Sequence, residues 1–465
     1  MTKARLSVPR LSGLFQRLGI AAITASLAFL PDPVQAQQRS VPIVRDTEIE
    51  SLIRDYARPI LEAAGLSRSG VEIILVNDNS FNAFVAGRRM FIHTGAIATS
   101  ETPNEIIGVI AHEAGHLAGG HQERLRDQIS RAQTIAVVAA LLGVGAGIAG
   151  AATGTSGLAQ AGGGIAMGGG EIARRGLLAY QRSEETTADR SAMTYLERTG
   201  QSGRGMLRTF ERFATGLALS GARVDPYQQS HPVPRERIAA LQELVRGSRF
   251  YDRTDPPALQ LRHDLARAKI AAYTMGQGSV QRMFRDNPGG LPAAYGDAIL
   301  TYLHGNPAQA IAKIDALIAK QPNNPYFHEL KGQALIRANR PADAVNSFTR
   351  AVQNVSGNAG LMRVGLGQAL IAVGTPDALN RAVRELRTGL DAAPDFANGH
   401  QYLAQAHGML GDVAQADLAT AESHFHRGAF RDAKMFAARA QQRLQTGTPS
   451  WVRAQDIINF REPAR

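Results

Sequence analysis

The chain has 465 residues, of which 44% are hydrophobic, with a formal net charge of +11 and no cysteine. This length predicts two domains, and the composition is typical of a globular protein that buries a core. Four basic residues and one acidic residue within residues 1–36 account for three of the positive charges, which leaves +8 on the rest. This modest, scattered surplus argues against a nucleic-acid-binding function. Without cysteine the chain forms no disulfide, and any metal site must use histidine and carboxylate ligands.

The N-terminus has the pattern of a secretory signal peptide. Basic residues precede the short apolar stretch at residues 18–30, and small residues up to Ala36 fit a cleavage site. An uncleaved membrane anchor is the alternative, but the apolar stretch is shorter than the roughly 20 residues that span a bilayer. The sequence therefore predicts a signal peptide at residues 1–36 and a mature protein in the periplasm.

Two strands and two helices are predicted in the region that follows. Helical apolar spacing covers residues 46–66, and strand-like composition covers residues 71–76 and 90–94. A further helix is predicted to begin at Pro103 and to run to about residue 124. Thr102 is its expected N-cap, and Glu105 completes the pattern of a capping box.

This predicted helix carries the motif H-E-x-x-H at His112, Glu113 and His116. Residues four apart on a helix project from nearly the same face, so both histidines can reach one metal ion. A zinc ion would act as a Lewis acid and lower the pKa of a bound water, whose proton Glu113 would take. The motif therefore predicts a zinc peptidase with Glu113 as general base.

A catalytic zinc site needs a third protein ligand. The metzincin arrangement would place a histidine at position 122, but Gln122 stands there. His121 would lie on about the opposite side of the helix from His112, which indicates a structural or surface residue. A carboxylate from a later helix is the other source, with Glu185 as ligand and Asp189 holding a ligand histidine. A solvated acidic helix face explains this acidic pair equally well.

An uncharged segment rich in glycine and alanine follows the motif, at residues 134–170. Its first 19 residues, 134–152, are long enough for a transmembrane helix. Their weak hydrophobicity favours a helical hairpin folded against the protein as a lid, with residues 162–170 as a flexible loop. A surface segment that dips into a membrane is a third interpretation.

From residue 259 onward the pattern is helical and repeats with a period of 34 residues. Gly332 occupies a position where paired helices would touch, and Gly367 occupies the same position in a later copy. The period and the small residues resemble the tetratricopeptide repeat, of which three to four copies are expected. The repeated positions are Ala310, Ile314, Leu317 and Pro322, then Ala344, Phe348, Ala351 and Ser356, then Ala382, Leu386, Gly389 and Pro394, and the third copy has about three extra residues in the turn between its helices.

Several motifs in order resemble one peptidase family. H-E-x-G-H followed by E-x-x-x-D on a later helix is similar to the gluzincins that include the CAAX-prenyl endopeptidases and the HtpX heat-shock proteases. Asn82-Ala83-Phe84 ahead of a strand at residues 89–94 looks like the N-A-F segment of that family. His231-Pro232 with Arg237 resembles its H-P-x-x-x-x-R element. A signal peptide, this catalytic domain and C-terminal repeats together resemble the BepA-type periplasmic metalloproteases.

The resemblance implies one zinc ion on His112, His116 and Glu185, with Asp189 in support or as a proton donor. It also implies that Arg237 organises the site and that His231 is a fourth ligand that represses activity, although an ordinary loop histidine is the alternative. The strand at residues 89–94 is expected to be a sheet edge that takes an extended substrate by β-augmentation. The residues assigned to that substrate edge are Asn82, Arg89, Met90, Phe91, Ile92 and His93.

The expected architecture is an α+β gluzincin domain, mostly helical with a small sheet, at residues 37–250, followed by an all-α tetratricopeptide domain at residues 259–465. The expected function is zinc-dependent degradation of misfolded or stalled outer-membrane proteins, with the repeats docking substrate or the barrel assembly machinery. A chaperone or assembly adaptor with a latent protease is the alternative. An integral membrane protease that uses residues 134–152 as a span is a third.

Overall fold

The computed structural model describes residues 42–153, 156–220, 227 and 231–462. The predicted signal peptide at residues 1–36 lies outside these residues. In the described part a small sheet and seven helices form the predicted peptidase region, residues 42–246, and twelve further helices follow. This arrangement confirms the predicted fold class, a mostly helical peptidase region with a small sheet and an all-α repeat region.

The sheet has four strands in the order β1-β2-β4-β3. Strands β2 and β4 are parallel, whereas β1 and β3 each pair antiparallel with their neighbour. The strands are β1 (Ile43–Val44), β2 (Glu72–Val76), β3 (Ala83–Ala86) and β4 (Arg89–His93). The two predicted strands are confirmed as β2 and β4, and the intervening β3 was not predicted.

The pairing corrects the position of the substrate edge. Strand β4 holds Arg89, Met90, Phe91, Ile92 and His93 between β2 and β3, so it has a neighbour on both sides. The prediction of an edge strand at residues 89–94 is therefore wrong, and β3 is the edge beside it. A tight turn at Gly87, with φ of 60°, folds the chain back between the two strands.

The peptidase region has seven helices, and the first of them agrees with the sequence-based prediction. The Asp46 side chain caps α1 by accepting a hydrogen bond of 2.9 Å from Ile49 N. The helices are α1 (Thr47–Ala63), α2 (Thr94–Thr99), α3 (Pro103–Gly119), α4 (His121–Thr153), α5 (Ser156–Arg198), α6 (Arg204–Ser220) and α7 (Arg235–Arg246).

Helix α3 begins as predicted but differs from the prediction in its cap and its end. The Thr102 side chain makes no capping hydrogen bond. Glu105 instead accepts from Glu101 N at 3.3 Å and pairs with Arg212 at 2.8 Å, so the predicted capping box is wrong. The helix ends at Gly119 rather than near residue 124, because Gly120 adopts a left-handed φ of 63°.

Helices α4 and α5 pack against each other as a long hairpin. The backbone of α5 is helical through residues 162–170, so the predicted flexible loop there is wrong. No helix in the described part of the chain is both long and apolar enough to cross a membrane. On α4 the exposed large apolar side chains are Ile129, Ile135, Val137, Val138, Leu141 and Leu142.

Helix α8 (Pro257–Thr274) connects the peptidase region with the repeats. Its Ala266 and Ile270 belong to the peptidase core, whereas Leu265 belongs to the core of the repeats. Its His263 ring bonds to Tyr56 Oη at 3.1 Å and to Ser100 O at 2.9 Å. The two regions therefore share a helix at their junction.

Paired helices follow α8 and confirm the predicted helical repeats. A Cβ atom on Gly332 would lie 2.6 Å from the Phe348 ring, and one on Gly367 would lie 2.5 Å from Leu386. Glycine is therefore needed where these helices touch. The helices are α9 (Gln277–Met283), α10 (Leu291–His304), α11 (Pro307–Lys320), α12 (Pro325–Arg337), α13 (Pro341–Asn354), α14 (Gly360–Val373), α15 (Pro376–Ala392), α16 (Ala397–Met409), α17 (Val413–His426), α18 (Phe430–Gln441) and α19 (Pro449–Asn459).

Candidate metal centre

The site forms where α3 and α5 cross. His112 and His116 lie one turn apart on α3, and Glu185 lies on the facing side of α5, all three buried. The close approach depends on Gly115, where a Cβ atom would lie 3.0 Å from Ala188 O. The glycine within the motif therefore serves helix packing and brings the histidines to the carboxylate.

Four side chains converge on one point. His112 Nε2 lies 3.0 Å from His116 Nε2 and 3.4 Å from Glu185 Oε2. His231, which precedes α7, places Nδ1 at 3.4 Å from His112 Nε2 and at 3.0 Å from Glu185 Oε1. All four ligand atoms lie within 4.8 Å of one another. Two of these ligands come from the motif, and the other two are distant in sequence.

These distances fit a zinc ion. Bonds of about 2.1 Å in a tetrahedral site place the ligand atoms about 3.4 Å apart, close to the separations of this cluster. Three buried carboxylates, on Glu113, Glu185 and Asp189, also face one buried guanidinium, on Arg237. The donor types and the excess of carboxylates both suit a divalent cation.

Glu113 is wholly buried beside the cluster. Neither of its carboxylate oxygens has a hydrogen-bond partner among the described residues. His231 Nε2 is 3.5 Å from its Oε1 atom. A buried carboxylate without a partner costs free energy unless a further group completes the site, and a water on the metal would supply that hydrogen bond.

Asp189 and Arg237 form a second layer around the ligands. Asp189 Oδ1 lies 3.0 Å from His112 Nδ1, which leaves Nε2 of that ring facing the cluster. Arg237 contacts both Asp189 oxygens, with Nε at 2.5 Å and Nη2 at 2.8 Å, and its Nη1 lies 2.7 Å from Glu185 Oε2. The guanidinium also lies over the Phe210 ring. The structure thus brings the two predicted supporting residues to the ligands.

His121 occupies a different place from the predicted one. It is buried, its Nδ1 lies 2.8 Å from His116 Nδ1, and its Nε2 lies 2.8 Å from Glu184 Oε2. The predicted helix runs past Gly120 to about residue 124, and a continuous helix places His121 across from His112. The pair Gly119-Gly120 was the signal that could have revealed a break before this histidine.

Burial and charge act on the pKa values of the site in opposite directions. Burial alone would lower the pKa of His112, but hydrogen bonds to Asp189 and Glu185 outweigh it and raise that pKa to about 9. Burial lowers the pKa of His116 to about 3. Burial raises the pKa of Glu113, whereas the surrounding histidines outweigh burial at Glu185 and lower its pKa. A raised pKa suits Glu113 to accept a proton near neutral pH.

The edge strand β3 meets the chain just after His121. Its outward-facing backbone groups include those of Ala83 and Val85, because His93 N donates to Asn82 O on the inner side and the pattern alternates. The Gln122 amide donates to Val85 O and accepts from Gly87 N at 3.0 Å. This side chain therefore occupies the end of the edge nearest the turn.

The family comparison agrees with this geometry. Residues 44–245 match the model of peptidase family M48. This range contains the α3 motif, Glu185, His231 and Arg237. The chain therefore carries an M48 metallopeptidase domain, followed by helical repeats.

Curated relatives extend the similarity along most of the chain. It is 23% identical over 425 residues to the beta-barrel assembly-enhancing protease of Escherichia coli (strain K12), covering 89% of this chain and 83% of that protein. The protein of that name from Yersinia pestis is 23% identical over 423 residues, covering 89% and 84%. A putative beta-barrel assembly-enhancing protease from Vibrio cholerae serotype O1 is 24% identical over 424 residues, covering 89% and 84%.

Proposed function

We propose that this metallopeptidase is a zinc-dependent endopeptidase that degrades misfolded or stalled outer-membrane β-barrel proteins in the periplasm. The convergence of His112, His116 and Glu185 beside the buried Glu113 carboxylate is the observation that carries the peptidase assignment. The name of the relatives, beta-barrel assembly-enhancing protease, supports the substrate class, and the signal peptide predicted at residues 1–36 supports the location.

In the proposed mechanism His112, His116 and Glu185 hold one zinc ion per chain. Bound zinc would polarise the scissile carbonyl and lower the pKa of a bound water. Glu113 takes the proton of the attacking water and later delivers it to the leaving amine. Asp189 orients the His112 ring, and Arg237 holds both Asp189 and Glu185 in place.

The substrate is proposed to bind as an extended segment along β3. The outward-facing backbone groups of Ala83 and the N–H group of Val85 can pair with any backbone, which suits unfolded strands of varied sequence. Gln122 already occupies Val85 O and Gly87 N, so pairing would start from the end of β3 near Asn82. Strand β3 thus takes the place of residues 89–94 as the proposed substrate edge.

His231 is proposed to keep the enzyme latent. A ligand atom of His231 lies within 4.8 Å of those of the other three residues. A catalytic zinc site keeps one position open for water and substrate, and His231 would fill it. A zinc ion held by all four residues would have no open position. Displacement of His231 by substrate or by a partner would then start catalysis.

The repeats are proposed to dock substrate or the outer-membrane barrel assembly machinery. Stacked helix pairs present an extended surface that suits protein partners.

The α4–α5 hairpin is proposed to contact a membrane peripherally near residues 134–170. That stretch carries no charged residue, and its first part exposes large apolar side chains to solvent.

The mechanism is tested by Glu113→Gln. Loss of the proton acceptor should reduce cleavage of a denatured outer-membrane β-barrel protein by about 10²- to 10⁴-fold, while zinc content by atomic absorption stays at one per chain. Glu123→Gln, at an exposed carboxylate on α4, is the matched control and should cleave normally. Both substitutions are also combined with His231→Ala, which should raise cleavage activity because it removes the proposed latent state. Retained cleavage by the Glu113 variant would refute the mechanism.

A chaperone or assembly adaptor is the second candidate, and the position of His231 among the ligands favours it because that position would keep the protease latent. The two functions differ in a strain that lacks its own copy of the gene. If Glu113→Gln restores normal outer-membrane assembly there, the adaptor function is the main one. If it restores none, peptidase activity is required.

A further inference from the structure

We propose that His121 is a positioning residue that orients the metal ligand His116, with Glu184 and Arg124 behind it. This inference rests on the proposed zinc site and adds a residue that neither the motif nor the family comparison assigns. His121 Nδ1 faces His116 Nδ1 at 2.8 Å, and the rings stand nearly perpendicular, at 87°. The ring is buried, with 4% of its surface exposed.

The contacts determine which nitrogen carries each proton. His116 Nε2 faces the ligand cluster and needs its lone pair for the metal, so the proton sits on Nδ1 and is donated to His121 Nδ1. His121 then carries its own proton on Nε2, and that nitrogen lies 2.8 Å from Glu184 Oε2. Arg124 Nη2 contacts the same carboxylate oxygen at 2.8 Å. The chain of contacts leaves His116 in one tautomer and one orientation.

The backbone is built around this arrangement. Gly120 has a φ of 63°, which ends α3 and turns the chain so that residue 121 folds back over the last turn. A Cβ atom on Gly119 would lie 2.2 Å from His121 Nε2, so a side chain there would displace the ring. Two successive glycines thus serve the placement of one histidine.

Both motif histidines therefore have a dedicated partner on their second nitrogen. Asp189 contacts His112 Nδ1 directly at 3.0 Å. For His116 the partner is His121, which in turn faces the carboxylate of Glu184. Glu184 immediately precedes the ligand Glu185 in sequence. Such outer partners typically account for about 10- to 100-fold in metal affinity.

The test is the zinc dissociation constant of the full chain, measured by chelator competition at fixed pH. His121→Leu removes the acceptor but fills the buried space, and it should weaken zinc binding about 10- to 100-fold. His121→Asn offers an amide oxygen near the former Nδ1 position and should bind within about threefold of the unchanged protein. A purely structural role would give the opposite order, since leucine packs better than asparagine in a buried site.

Two further measurements keep the outcome clear. Cobalt(II) in place of zinc should give a changed visible spectrum in His121→Leu and an unchanged one in His121→Asn. His328→Leu alters another buried histidine, in the repeats, whose ring bonds to Pro322 O, and should leave zinc affinity unchanged. Equal zinc affinity of His121→Leu and the unchanged protein would overturn the proposal. Absence of zinc binding by the unchanged protein would instead refute the zinc site.

Discussion

The protein buries two clusters of charged side chains, and they differ in how their polar atoms are arranged. At the metal centre, nitrogen and oxygen atoms of His112, His116, Glu185 and His231 lie within 4.8 Å of one another. At the junction between the peptidase region and the repeats, Lys269 Nζ lies 2.7 Å from Asp46 Oδ2 and 3.2 Å from Glu48 Oε2. Tyr295 Oη donates to the same Glu48 oxygen at 2.9 Å.

The junction cluster joins elements that are distant in sequence. Asp46 and Glu48 begin α1, Lys269 lies on α8, and Tyr295 lies on α10. Each donor there meets an acceptor, which is how a buried polar network stabilises one arrangement of a fold. In the metal centre, four groups that can each give a lone pair to a metal ion converge on one point. Convergence of like groups thus distinguishes a binding site from a structural network.

Lys269→Met tests the junction cluster and has the largest expected effect on stability. It leaves the buried Glu48 and the half-buried Asp46 without their cation, which should reduce the free energy of unfolding by about 3–5 kcal/mol. Urea denaturation followed by circular dichroism measures this change. Lys313→Met removes a half-exposed pair with Asp297 and should cost less than about 1 kcal/mol. A similar loss of unfolding free energy in the two variants would show that burial of the Lys269 cluster does not matter. Weaker zinc binding by folded Lys269→Met would show that the two buried clusters are not independent.

Arg237→Lys tests the metal centre. Lysine keeps the charge but cannot contact both Asp189 oxygens and Glu185 together, so zinc affinity should fall about 10- to 100-fold. Chelator competition measures that fall. Arg363→Lys changes an arginine of the repeats that contacts Glu385 at 2.6 Å and is the matched control. If both variants bind zinc as the unchanged protein does, Arg237 is not a positioning residue.

Glu329→Gln gives a smaller effect that depends on pH. Glu329 Oε2 is buried without a hydrogen-bond partner among the described residues, and burial raises the pKa of this carboxyl to about 7. The folded protein therefore binds this proton more tightly than the unfolded chain does. The resulting stability is complete below the unfolded pKa of about 4.3 and is lost as the pH rises through 7.

Glu329→Gln has no carboxyl to ionise at this position, so it should not lose stability as the pH rises through 7. It should match the unchanged protein at pH 4 and be more stable at pH 8, by about 1 kcal/mol. Urea denaturation at the two pH values measures the difference. Glu243→Gln, at an exposed carboxylate of α7, should show no such dependence. A Glu329 variant that is less stable at pH 8 would show that its charged form is stabilised in the fold.

Much of the fold was predictable because its signals are local. The apolar spacing of α1, the start of α3 at Pro103 and the composition of β2 and β4 each depend on neighbours in sequence. The 34-residue period identified the helical repeats for the same reason, since Gly332 meets Phe348 within one repeat. The order of the strands could not be predicted, because it depends on the connection through β3.

The sequence by itself determined the metal-binding helix, since His112, Glu113 and His116 share a face by helical geometry alone. The tertiary structure decided which distant groups meet them. It brought Glu185 and His231 to within 4.8 Å of the two histidines. Glu185 reaches them because Gly115 lets α5 approach α3. It also placed His121 against His116 rather than across the helix, because a left-handed residue at Gly120 redirects the chain, and that turn is invisible to a helical pattern.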